Sequence, residues 1–166
     1  MSSYELAQLN IGIIKGPMDS PVMAQFAANL ERINALADAA PGFVWRLQTE
    51  AGDATAIRPF DDENMLVNMS VWRDAEALRQ FVYHSEHVGI MRRRREWFER
   101  MSDSYLVLWW VPRGHRPDIA EAIGRLEALR RKGPHPEAFG FGQLFPAPDA
   151  PPGARPVALN DPCPAS

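Results

Sequence analysis

The stretch MLVNMSVWRDAEALRQFVYHSEHVGIMRRRREWFERM, Met65 to Met101, decides the fold. Its opening, Met65 to Arg73, alternates, with Asn68, Ser70 and Trp72 beside Leu66 on one side, and a period of two is the signature of a strand. Asp74 then caps a helical region that reaches about Met101. Ala75, Leu78, Phe81, Val82 and Ser85 form one stripe at helical spacing, and Gly89 interrupts it, so the register after the glycine is different. Its second half carries Ile90, Met91, Trp97, Phe98 and Met101 on one stripe, and His87 and Arg94 fall inside that stripe.

Working outward, residues 4–14 alternate, with Ala7, Leu9, Ile11 and Ile13 opposite Leu6, Gln8, Asn10 and Gly12. This is the first strand. Ser20 followed by Pro21 opens a helix carrying Val22, Phe26, Leu30, Ile33 and Ala37, which stops at Pro41-Gly42. Phe43 to Glu50 reads as the second strand and Tyr105 to Val111 as the fourth. The order is strand, helix, strand, strand, helix, strand. It predicts an α+β fold, a ferredoxin-like βαββαβ domain with an antiparallel sheet and two helices on one face. A further helix starts at Asp118 with Glu121 three residues on and ends at Arg130-Arg131-Lys132 before Gly133-Pro134. Phe139 to Phe145 reads as a short extra edge strand. The domain spans 1–145, and 146–166 reads as a Pro-rich flexible tail with few large apolar residues.

Composition narrows the function classes. The 166 residues are 46% hydrophobic and 23% charged with a formal net charge of -3, the balance of one globular domain and not of a nucleic-acid protein. The run Arg92 to Arg95 points all round a helix and has Glu96 and Glu99 as partners, so it reads as a salt-bridged face. No apolar run is long enough for a membrane span, and no secretory signal opens the chain. A single cysteine, Cys163, provides neither an internal disulfide nor a Cys-based metal site. A cytoplasmic location is the expectation. His84 and His87 make an H-x-x-H pair, but a metal needs three or four ligands, so no metal is expected.

With both helices on one face, the opposite face should be polar in a monomer. The side carrying Gln8, Asn10, Asn68, Ser70 and Trp72 mixes amides, a hydroxyl and an indole. Such a mixture suits a ligand cavity closed by a second copy of the sheet, and it equally suits a dimer interface holding no ligand. The second strand adds either Val44, Arg46 and Gln48 or Phe43, Trp45 and Leu47, and the fourth adds Trp109 or Trp110.

The segments SVWRDAEALRQFVYHSEHVGIMRRRREWFERM, LWWVPRGHRP and GPHPEAFGF together resemble an uncharacterised bacterial family of the dimeric α/β-barrel superfamily, which includes antibiotic-biosynthesis-monooxygenase-like proteins. The resemblance runs from about Ala7 to Phe145. It implies a homodimer whose two sheets form a barrel, in a superfamily holding cofactor-free oxygenases, haem-degrading enzymes, haem proteins, isomerases and binding proteins. The first-strand Asn of the haem-degrading members matches Asn10, while their helix Trp and His fall near Phe81 and Met91, a departure from the pattern.

Two functions are therefore expected. The first is a monooxygenase-like or isomerase-like enzyme without a tightly bound organic cofactor, acting on a small aromatic or polyketide-like metabolite. In it His87 takes a proton, Arg94 stabilises the resulting anion, and Asn10, Trp45, Asn68, Trp72 and Trp110 hold the substrate. The alternative is a non-catalytic dimer binding a small molecule or haem through one axial histidine. The plainer reading of Arg94 lays its stem along Trp97 with the head in solvent. His115 lies in a loop after the fourth strand, where histidines are usually only solvated.

Overall fold

The computed structural model describes residues 2–48, 65–84, 92–101 and 104–158, and of His84 the backbone alone. Strands β1 (Tyr4–Ile13), β2 (Phe43–Arg46), β3 (Met65–Trp72) and β4 (Leu106–Pro112) form one sheet in the order β2-β3-β1-β4. Every pairing is antiparallel. The helices are α1 (Ala24–Ala39), entered through a 3-10 turn at Pro21–Met23, α2 (Ala75–His84), the single turn α3 (Arg94–Trp97), and α4 (Ile119–Lys132).

Capping chemistry fixes several boundaries. Asp74 Oδ1 accepts the Ala77 amide at 2.8 Å and starts α2, and Asp118 Oδ1 accepts the Glu121 amide at 2.8 Å and starts α4. At the far end of α4, Gly133 takes φ 75°, open to glycine without a Cβ penalty. The second helical region does not run on to Met101 as its composition suggested. It ends at Trp97, because Phe98 turns extended and bridges to Ile14. Gly12 makes room for this: a Cβ there would come within 2.5 Å of the Phe98 ring.

The predicted edge strand over Phe139–Phe145 is also shorter than expected. Among the described residues a single bridge joins this segment to the sheet, in which Leu108 and Phe139 exchange both backbone hydrogen bonds at 2.7 and 2.9 Å. The chain then turns at Gly140, and Phe139 and Phe141 drop their rings onto the sheet.

The main correction concerns the faces of the sheet. Ala7, Leu9 and Ile11 pack with Val67, Met69, Val71, Val107, Trp109 and Val111 beneath Ala122, Leu126 and Leu129 of α4. The opposite face, with Leu6, Trp72 and Leu108, lies under Ile33, Leu36 and Ala37 of α1 and Ala77, Leu78, Phe81 and Val82 of α2. The chain thus has helices on both faces: α1 and α2 lie on the amide-bearing side that was expected to be open, where Gln8 and Ser70 are buried, Asn10 is half-buried and Asn68 stays exposed. Alternation could not reveal this, because it separates the aliphatic side of β1 from the side carrying Leu6, Gln8 and Asn10 without saying which side the helices cover. β1 is, with β3, an interior strand, buried from Glu5 to Leu9 and again at Ile11 and Gly12.

Of the Pro-rich 146–166 segment, residues up to 158 are described. Leu144 and Val157 exchange backbone hydrogen bonds at 2.7 and 2.9 Å. Asp149 accepts the Ser3 amide at 2.7 Å and the Ser2 hydroxyl at 2.8 Å. The Ser3 amide, and after it the Ser2 hydroxyl, hold the Asp149 carboxyl below its usual range. A depressed carboxylate adds stability that is present above the unfolded value, about 3.9, and is lost as pH falls through the folded one. The Ser3 amide proton resonance should therefore shift with a midpoint below about 3.9, and the shift should vanish in Asp149→Asn. A midpoint at or above the ordinary value would contradict this clasp.

Candidate functional site

A chamber of about 80 Å³ lies between the sheet and the helix pair of the same chain. On a water-sized measure that is room for roughly five to eight waters. Its floor is the polar row of β1 and β3: Gln8, Asn10, Asn68, Ser70 and Trp72. Its roof is Ile33, Asn34 and Ala37 of α1 with Leu78, Phe81 and Val82 of α2, and Arg46, Tyr105, Leu106 and Phe141 complete the walls.

Strand register builds the floor. Asn10 stands opposite Asn68, Gln8 opposite Ser70 and Leu6 opposite Trp72, so the polar side chains meet across one antiparallel pair. They bond to one another. Gln8 Nε2 donates to Asn68 Oδ1 at 2.7 Å and to Ser70 Oγ at 2.8 Å, and Asn10 Nδ2 donates to Gln8 Oε1 at 3.0 Å and more weakly to Asn68 Oδ1 at 3.3 Å. Trp72 Nε1 donates to Ser70 Oγ at 2.8 Å. Burying such groups unpaired would cost on the order of 1–3 kcal/mol each, and the row avoids most of that cost internally.

Trp72 couples floor to roof. Its indole stacks on Phe81 of α2, with centroids 5.1 Å apart and planes at 29°, and meets Phe43 edge-on at 5.5 Å. At one rim Arg46 donates through Nε to Asp38 Oδ1 at 2.8 Å and through Nη2 to Asp38 Oδ2 at 3.3 Å. This fork ties β2 to α1, with the arginine side chain largely covered and the aspartate about half exposed.

A family model matches residues 5–155. The chain belongs to DUF3291, a domain of unknown function. Among solved structures, this DUF3291 chain is similar to SnoaB, a cofactor-independent oxygenase from Streptomyces nogalater. The match has a TM-score of 0.47 at 23% identity over 69% of this chain and 98% of that one. A SnoaB mutant gives a TM-score of 0.48 at 20% identity over 70% and 100%. A protein of unknown function from Nitrosomonas europaea, NE2512, gives 0.43 at 13% over 70% and 95%. Among curated proteins nothing matches.

The DUF3291 chamber brings together three of the residues singled out in the sequence, Asn10, Asn68 and Trp72. Trp45 is not among its lining residues. It pairs with Val71 and packs, half-buried, at the margin of the aliphatic face. A bulge between Phe43 and Trp45 puts Val44 and Trp45 on that side, while Phe43 and Arg46 stay on the chamber side. Neither simple phase of the strand is therefore correct.

Trp110 shares the chamber's face of the sheet, but its Nε1 donates to the Phe145 carbonyl at 2.9 Å, so it anchors the C-terminal extension. Arg94 is absent from the lining too. Its guanidinium lies between the rings of Tyr105, at 4.3 Å, and Phe98, at 4.8 Å, and donates to the Ile11 carbonyl at 3.2 Å. It is Arg93 that covers Trp97, at 4.7 Å, while pairing with Glu96 at 2.6 Å. His87 lies outside the described residues. His115 Nε2 is 2.7 Å from Glu121 Oε1, whose other oxygen accepts Trp109 Nε1 at 2.9 Å.

Sequence reading missed the roof, namely Ile33, Asn34, Leu78, Phe81 and Val82 as chamber residues, and it gave no role to Gln8 and Ser70 beyond their face. Helical stripes mark which side of α1 and α2 is covered, not what covers it. Among the described lining residues there is no carboxylate, imidazole or thiol, so they offer neither a near-neutral base nor a histidine or cysteine for a haem iron. No group of three or more His, Cys, Asp or Glu suited to a metal occurs among the described residues.

The Trp72 indole should be the most sensitive point of the site. Trp72→Phe removes the bond to Ser70 and part of a fully buried ring, and should cost about 2–4 kcal/mol in urea unfolding. Trp110→Phe, at a half-buried position, should cost about 1 kcal/mol. Equal losses for the two variants would contradict the placement of Trp72.

Proposed function

We propose that the chamber binds a small, uncharged, planar molecule, aromatic or polyketide-like, that carries oxygen functions. The observation that carries this reading is the pairing of a polar floor with an apolar, aromatic roof within one chain. Apolar walls contribute affinity through burial, and a few fixed polar groups set orientation. Among the described lining residues the one guanidinium, Arg46, is forked by Asp38, so these residues present little net charge to a ligand.

The enzyme reading, a cofactor-independent monooxygenase-like or isomerase-like protein without a tightly bound organic cofactor, builds on the same chamber. Asn10 and Asn68 would hold substrate oxygens, and Trp72 would stack on the ring. Arg94, behind Tyr105, can act on the chamber only through that ring. Proton transfer then falls to His87. The order β2-β3-β1-β4, with α1 and α2 together on one face, supports a ferredoxin-like arrangement. The homodimer implied by the resemblance keeps a role in this reading: at one end of the chamber Asn68 is exposed and Asn10 half-buried, and a second copy would cover that end. No helix among the described residues is long and apolar enough to cross a membrane, in keeping with a protein that meets its ligand in the cytoplasm.

A thermal-shift screen of small aromatic ketones and phenols tests the binding claim. A true ligand at 100 times its Kd should stabilise the full chain by about 2.7 kcal/mol, and Ala37→Leu, which fills the roof, should abolish the shift. Hits that stabilise Ala37→Leu as well as the wild type would contradict the chamber. For the catalytic extension, His87→Ala in folded protein should lower turnover of an identified substrate about 100-fold or more. Unchanged turnover would remove His87 from the mechanism.

A further inference from the structure

The hydroxyl of Ser70 sits at the centre of the chamber floor with both of its acceptor positions in use. A serine oxygen has two lone pairs and one hydrogen. Gln8 Nε2 and Trp72 Nε1 each donate to that oxygen at 2.8 Å, which leaves only the hydrogen. The neighbouring acceptors are also engaged: Asn68 Oδ1 receives Gln8 and Asn10, and Gln8 Oε1 receives Asn10. Among the described residues no acceptor takes the Ser70 proton. Ser70 lines the chamber and is 7% exposed, so an acceptor for this hydrogen has to come from within the chamber, and a buried donor without an acceptor costs free energy that a ligand can recover.

We infer that Ser70 is a specificity-determining residue, a pre-set hydrogen-bond donor that selects ligands carrying an acceptor oxygen, such as an aromatic ketone or a quinone, close to the Trp72 ring. This rests on the reading of the chamber as a small-molecule site and adds the polarity of the group that must face the floor. Trp72 and Gln8 act as positioning residues, because their N–H groups fill the lone pairs and turn the serine into a donor only. A ligand that offers only a donor at this point would leave two donors facing each other.

The test compares two bicyclic probes of similar shape, 1-indanone, which has an acceptor carbonyl, and indane, which has none. Dissociation constants are measured by ligand-observed NMR on the full chain. In the wild type both should bind, and the indanone-to-indane preference should fall about five- to tenfold in Ser70→Ala, while Ser70→Thr, which keeps a hydroxyl, should hold it within about twofold. If Ser70→Ala does not fold, Ser70→Cys, with its weak donor, should show the same fall. A preference unchanged in the Ala or Cys variant, with both probes still bound, overturns the Ser70 assignment and leaves the chamber standing. A preference lost equally in the Thr variant also overturns it. Binding of neither probe to the wild type overturns both readings.

Discussion

Polar side chains can be buried under helices only if most of their hydrogen-bonding groups are satisfied, and the bonds of the buried Gln8, Ser70 and Trp72 with one another, with half-buried Asn10 and with exposed Asn68 meet that condition for all but the Ser70 hydrogen. Everything in the site depends on it. Because the amides face one another across β1 and β3, α1 and α2 can pack over the buried end of the row, and an apolar roof can come close while stranding little besides the Ser70 hydrogen. The row also prevents the space from collapsing into a dry core, since Leu or Phe in its place would pack directly against Phe81 and Val82. The chamber is thus a consequence of strand register as much as of helix packing.

Two ties hold the roof at its distance. The Trp72–Phe81 stack fixes α2 over β3, and the Arg46–Asp38 fork fixes α1 over β2. The first is buried, and dispersion and area burial make it the stronger. The second is half-exposed and contributes little to stability, on the order of 0–1 kcal/mol, but its planar geometry sets where the arginine head lies at the rim. On the other side of the sheet, α4 seals the aliphatic strands, and Glu121 satisfies the Trp109 indole that burial would otherwise strand.

The floor was legible in the sequence because strand alternation is a strict period of two, and Asn10, Asn68 and Trp72 fell on one side from that alone. The side of the sheet to which the helices go was not legible. Alternation tells the aliphatic face of β1 from its amide face but not which of them α1 and α2 cover, and a long helix after β4 had no partner until α4 was seen on the aliphatic face. Trp45 was lost to a one-residue bulge, which periodicity cannot register. Arg94 fell on an apolar stripe because the chain leaves the helix at Phe98 and brings two aromatic rings to the guanidinium. Membership of DUF3291 agrees with the resemblance read from the second helix and the loops after β4, and it carries no activity with it.

The central claim is that the amide face and the helices enclosing it belong to the same chain. Nuclear Overhauser contacts between the Trp72 indole and the Phe81 ring, measured in a sample mixed from labelled and unlabelled protein, test this most directly. The account predicts strong contacts arising within labelled chains, undiminished at dilution. Contacts appearing only between labelled and unlabelled chains, or a Trp72 ring with none to Phe81, would contradict it.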